Sequence, residues 1–136
     1  MDMIMTSIQG LGGFALYFIS SVVALLAFKF IYTMITPYDE WALVKNNNSA
    51  AAIALTGTLI GYAIALGSAA KNSVNYVDFI VWAVVALITQ VLAYLIVRML
   101  MPLIASRIEK AEVSAGIVLG GVSVAIGILN AACMTY

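Results

Sequence analysis

Polar side chains are scarce in this 136-residue chain, so each one set inside a long apolar run asks for a role. Gln90 lies midway along DFIVWAVVALITQVLAYLIVRMLM, Thr56 and Thr58 stand in TGTLIGYAIALGSAA, Ser20 and Ser21 interrupt the first run, and Asn130 lies near the C-terminus. Amides and hydroxyls at such depth can line a path for an ion or small solute, because polar groups in a bilayer are expensive and persist where they are used. The competing role is packing, in which each group hydrogen-bonds a neighbouring helix for about 0.6 kcal/mol. Packing is favoured, and Thr58, Gln90 and Asn130 stand as a candidate polar path. Enzyme chemistry is poorly served: histidine is absent, so no serine, threonine or cysteine has a plausible base. No acidic cluster on one face suggests a divalent metal. The chain therefore reads as non-enzymatic, with no catalytic, cofactor-binding or metal-binding residue and no cofactor. Cys133 is the single cysteine, which excludes an intrachain disulfide and a Cys–His zinc site. It reads as a small apolar filler. Asp39 and Glu40 adjoin each other and are expected to face water. No carboxylate lies mid-run, as a proton-coupled exporter of the small multidrug-resistance type would require.

The elements that must position these groups are membrane helices. The chain is 65% hydrophobic and 9% charged, with a mean hydropathy of +1.11, far from a soluble domain. Apolar runs at about 12–36, 49–70, 77–101 and 113–134 each approach the ~20 residues needed to cross ~30 Å of hydrocarbon. An all-α integral membrane protein of four transmembrane helices follows, as a single membrane domain over 1–136. The first run follows an acid and no base, and is too long for a signal-peptide core, so it is expected to be retained. A formal net charge of zero offers no surface for nucleic acid. Lys29, Lys45, Arg98, Arg107 and Lys110 gather at the ends of the first and third runs, opposite Lys71. The positive-inside rule then predicts cytoplasmic loops at 37–48 and 102–112, with periplasmic termini.

A shift of 65 residues superposes Ile31 on Ile96, Met34 on Met99, Pro37 on Pro102, Lys45 on Lys110, Ser49 on Ser114 and Ala50 on Ala115. The two prolines are the only ones in the chain, and both end an apolar run before a charged connector. Two tandem, parallel two-helix repeats are expected, at 12–70 and 77–134. Within each, the first helix is bulky and the second is rich in small residues. Gly57-x-x-x-Gly61 and Gly116-x-x-x-Gly120 form faces that let backbones approach closely, within one chain or between chains. The small-residue helices are expected at the centre. The bulky ones are expected to face lipid, with Tyr17, Tyr32, Tyr38, Trp41, Tyr76 and Trp82 as interfacial anchors. The connectors PYDEWALVKNNN and PLIASRIEKAEV could form short helices with Trp41, Leu43, Leu103, Ile104 and Ile108 toward lipid. In KNNNSAAAIAL, Asn48 or Ser49 can cap the following helix, which leaves two asparagines in excess.

At ITPYDEWALVKNNNSAA, TGTLIGYAIALGSAA and GILNAACMTY the sequence resembles the DUF 350 type, a family of small bacterial inner-membrane proteins catalogued as a domain of unknown function. Pro37, Glu40, Trp41, Lys45, Asn46, Asn47, Asn48, Gly57, Gly61, Asn130 and Cys133 fall in the matching blocks. The resemblance implies paired two-helix units in the inner membrane and brings no catalytic or transport residue. It also implies a setting in envelope stress, beside coiled-coil proteins of the phage-shock type. The combined expectation is a lipid-embedded, homo-oligomeric scaffold or interaction subunit that docks a cytoplasmic coiled-coil stress protein. Its candidate contacts are Trp41, Lys45, Asn46, Asn47, Asn48, Arg107 and Lys110. The alternative is a small oligomeric channel or permeation pathway.

Overall fold

The computed structural model describes residues 2–134, all of whose regular structure is helical. Four long helices, α1 (Asp2–Ile35), α3 (Ser49–Asn72), α4 (Tyr76–Leu100) and α6 (Val113–Cys133), are long and apolar enough to span a membrane. Two six-residue helices, α2 (Glu40–Lys45) and α5 (Ile104–Glu109), occupy the connectors. The helix α1 begins about ten residues earlier than the apolar run. At 1.5 Å per residue its 34 residues extend about 51 Å, more than the hydrocarbon requires.

Local chemistry sets most boundaries. Pro37 cannot donate a backbone hydrogen bond, so α1 stops just before it. Asp39 caps α2 by accepting from Ala42 N at 3.3 Å, Asn48 caps α3 by accepting from Ala51 N at 3.0 Å, and Asn75 caps α4 by accepting from Asp78 N at 2.9 Å. No side chain caps α5 or α6. Each short helix is closed by a residue with positive φ, Asn47 at 65° after α2 and Ala111 at 60° after α5.

Helices α3 and α6 run parallel, since contacts advance together along both chains from Ala50 and Gly116 to Gly61 and Gly127. A methyl group on Gly57 would overlap the Gly120 backbone, one on Gly61 the Ser123 carbonyl, one on Gly116 the Ala50 carbonyl, and one on Gly127 the Gly61 backbone. Only glycine permits that approach, which brings many weak contacts within range. Ser68 Oγ adds a hydrogen bond to the Ala131 carbonyl at 2.9 Å.

Helix α4 covers this pair with Phe79, Ala83, Ala86, Gln90, Ala93, Tyr94 and Val97. Tyr62 of α3 reaches the Ala83 carbonyl at 2.9 Å. The expectation that both small-residue helices are central needs correction. Helix α3 is the most enclosed, whereas α6 is no better covered than α4, because α6 meets its neighbours along one glycine-lined face. Helix α1 buries only Phe28 and Tyr32 fully. It leans on the bundle through rings, with Phe28 4.6 Å from Tyr62, Tyr32 5.4 Å from Tyr94 and Tyr17 5.2 Å from Phe79. Two expected interfacial anchors are therefore interior. Tyr32 and Tyr38 are buried, because both rings turn inward where α1 ends.

Candidate functional site: a buried carboxylate under two connectors

The polar groups fall into two sets. The first lies between the spanning helices. Thr58 Oγ1 donates to the Ala54 carbonyl at 2.8 Å and lies 3.3 Å from Ser123 Oγ, and Gln90 Nε2 donates to the Ser123 carbonyl at 3.2 Å. Thr58, Gln90 and Ser123 are thus brought together where α3, α4 and α6 meet, and all three are buried. Asn130 is half-buried and stands apart, near the far end of α6, with its Nδ2 unpartnered among the described residues. The three candidate path residues do not form one track. Ser123, which joins Thr58 to Gln90, was not among them, although its 65-residue offset from Thr58 is a signal the sequence carried.

The second set lies where α1 gives way to α2. The chain turns at Pro37, and Thr36 Oγ1 lies 3.1 Å from the Tyr38 carbonyl and in a short contact with Glu40 Oε1. Asp39 caps α2 in solvent. Glu40, the next residue, faces the other way together with Leu43 and Val44, which pack partly against the core. Glu40 is 0% exposed. The expectation that it faces water is overturned: α2 lies against the bundle, and its first residue is an inward position. Its Oε2 has no hydrogen-bond partner among the described residues, and neither do the hydroxyls of Tyr38 and Tyr94, while the buried Tyr32 hydroxyl faces Thr58. All three phenols lie within electrostatic reach of Glu40. Burial, reinforced by neighbouring Tyr32 and Glu40, pushes the Tyr38 hydroxyl well above the usual phenol range, so it stays neutral. A second correction concerns α5. Ile104 and Ile108 are fully buried in the protein and do not face lipid, whereas Trp41 and Leu103 are exposed.

The connectors are joined. Asn48 accepts from Ala51 N with its Oδ1 and donates through Nδ2 to the Ile108 carbonyl at 2.8 Å, so one side chain caps α3 and braces α5. Asn46 closes α2 and Asn47 takes the left-handed turn, which asparagine tolerates better than most residues. Each of the three asparagines has a structural task. Outside, Lys29 and Lys45 lie over the Trp41 ring at 5.6 and 5.9 Å. Arg107 pairs with Glu112 at 3.5 Å and donates to Ser114 Oγ at 3.2 Å. Lys110 closes α5 on the exposed side. Of the residues singled out for interaction, Trp41, Lys45, Asn46, Asn47 and Lys110 are exposed, Arg107 is half-buried, and Asn48 is buried.

A family model described as Domain of Unknown Function (DUF350) matches residues 5–134. The chain belongs to the DUF350 family. It is similar to the UPF0719 inner membrane protein YjfL of Escherichia coli (strain K12), at 44% identity over 95% of this chain and 98% of that one. It is also similar to the UPF0719 transmembrane protein YshE of Bacillus subtilis (strain 168), at 25% identity over 87% of this chain and 90% of that one. No solved structure matches. These DUF350 relatives and the four apolar helices make the chain a multi-pass protein of the bacterial inner membrane. Neither relative's name carries an enzymatic activity.

Proposed function

We propose that the chain is a non-enzymatic interaction subunit of the inner membrane, which self-associates in lipid and docks a soluble partner on its two connectors. The observation that carries this is the brace from Asn48 to the Ile108 carbonyl, which ties the end of the first connector and the start of α3 to α5, so that both connectors are held against the same end of the bundle. Trp41, Lys45, Asn46, Asn47 and Lys110 are exposed on those connectors. The partner fitted to a platform carrying lysines beside an exposed tryptophan is an acidic, amphipathic helix, consistent with the coiled-coil stress protein that the family resemblance implies. The charge bias supports a cytoplasmic position for this platform. Two parallel repeats are in keeping with connector helices of equal length, each followed by a left-handed residue. Thr58 and Gln90 are engaged in helix contacts, which favours docking over a permeation pathway through one chain.

The test is affinity recovery from solubilised membranes with Trp41→Ala, Lys45→Ala and Lys110→Ala combined, leaving the structural Asn47 and Asn48 in place. Loss of a soluble partner with unchanged membrane insertion is expected. Recovery of every partner at wild-type levels overturns docking through the connectors. Chemical cross-linking in native membranes reads self-association, and a monomer alone at all concentrations overturns that part.

A further inference from the structure

Glu40 presents a problem that the docking role does not solve. A carboxylate removed from water must be compensated, because an isolated buried charge loses its hydration with nothing in return. The ion pair recorded among the described residues, Arg107 with Glu112, lies on the outside and leaves Glu40 alone. Thr36 occupies one carboxylate oxygen, and the other has no partner.

The surroundings are not apolar. Tyr38 from the turn and Tyr94 from α4 each place a buried, unpartnered hydroxyl within electrostatic reach of the carboxylate, and Tyr32 of α1, whose ring lies 5.4 Å from that of Tyr94, adds a buried hydroxyl that faces Thr58. The other charged groups near these phenols are Arg98, one turn beyond Tyr94 on α4 and exposed, and Glu109 of α5, near Tyr38. From α3 the facing group is Thr58, neutral and a hydrogen-bonding neighbour of Tyr32. Glu40 Oε2 and the hydroxyls of Tyr38 and Tyr94 supply three unpartnered oxygens with open lone pairs, and Tyr32 supplies a fourth that Thr58 engages on one side. Native interiors leave few such groups unpaired, and a local concentration of them calls for a missing partner.

The chemistry of that partner follows from the donors. All are hard oxygens, with no sulfur or imidazole, which selects against transition metals. No group of three acidic, histidine or cysteine side chains occurs among the described residues, so a divalent ion would stay under-neutralised. One carboxylate balances one positive charge, and neutral hydroxyls complete the shell. We propose that Glu40, with Tyr32, Tyr38 and Tyr94, binds a single alkali-metal cation beneath the α2 connector. Because its donors come from α1, the turn, α2 and α4, the occupied site would tie the loosely packed α1 to the bundle. The site is independent of partner docking, since its donors are buried and the docking residues are exposed.

The experiment uses the full chain in lipid nanodiscs, with sodium or potassium chloride replacing choline chloride at constant ionic strength. Thermal unfolding of the helices and tyrosine difference absorbance are read together. A saturable rise in unfolding temperature and a tyrosine perturbation are expected with sodium or potassium and not with magnesium. Glu40→Gln should abolish both, and Tyr94→Phe and Tyr38→Phe should shift the midpoint several-fold toward higher cation. The phenylalanine variants keep the test decisive should Glu40→Gln fail to fold. Wild-type response in Glu40→Gln, unchanged midpoints in both phenylalanine variants, equal effects of magnesium, or no saturable response in the wild type each overturns the proposal. So does an infrared band of a protonated carboxylic acid that persists at saturating cation and vanishes in Glu40→Gln, since a proton would then hold the glutamate.

Discussion

The connectors α2 and α5 share a length of six residues and a left-handed residue one position beyond the C-cap, yet they bury opposite chemistries. The helix α5 opens on Ile104 and α2 opens on Glu40, and both first residues are 0% exposed. Isoleucine closes its position by packing alone. Glutamate in the equivalent place leaves an open carboxylate oxygen among three buried phenols. The first residue of such a helix is therefore an interior position whatever its type, and the neighbours decide what can stand there.

Exchanging the two chemistries is the sharpest way to break the comparison. Ile104→Glu should cost about 3–5 kcal/mol, as for an uncompensated buried charge, read as a loss of reversible unfolding stability in detergent. In buffer free of alkali cations, Glu40→Ile should leave the fold about as stable as the wild type, because no bound cation is then lost and the buried carboxylate is replaced by an apolar group that needs no partner. A severe loss in Glu40→Ile and none in Ile104→Glu would reverse the assignment of the two environments.

A smaller effect separates the entries to α3 and α6. Asn48→Ala removes a cap and the bond to the Ile108 carbonyl, and should cost about 1–3 kcal/mol. Glu112→Ala removes no side-chain cap and only an exposed ion pair, so its effect should stay within about 1 kcal/mol. Equal losses in the two variants would show that Asn48 does not join the connectors.

The smallest difference concerns the left-handed residues. Alanine at φ 60° carries strain that glycine lacks, so Ala111→Gly should stabilise by about 1 kcal/mol. Asn47→Gly should change stability by a few tenths of a kcal/mol, because asparagine already tolerates its φ of 65°. Thermal unfolding of the two single variants measures both.

Much of the scaffold was legible because hydropathy in a membrane chain is nearly a direct readout of the spans. The start of α1 was not, since MDMIMTSIQG mixes polar and apolar residues and continues the helix beyond the apolar run. Gly57, Gly61, Gly116 and Gly120 could be named from spacing, but their partners could not, because small faces do not say which backbone they meet. The Glu40 site was hidden for a different reason. An acid two residues past a proline's neighbour reads as a solvated turn, and only the docking of α2 against the bundle turns it inward. Gln90 and Tyr94 lie four apart on one helix face, a pattern that could have pointed to Tyr94 as a companion polar group.

The backbone-to-backbone seam of α3 and α6 has a dynamic consequence. Glycines give up no rotamers on packing, so the seam forms with little side-chain entropy to recover on opening. The helix α1, held mainly by a few rings, has no such seam. Amide hydrogens should therefore exchange last along Ala50–Gly61 and Gly116–Gly127 and first along α1, which makes local opening of α1 the lowest rung of the unfolding ladder.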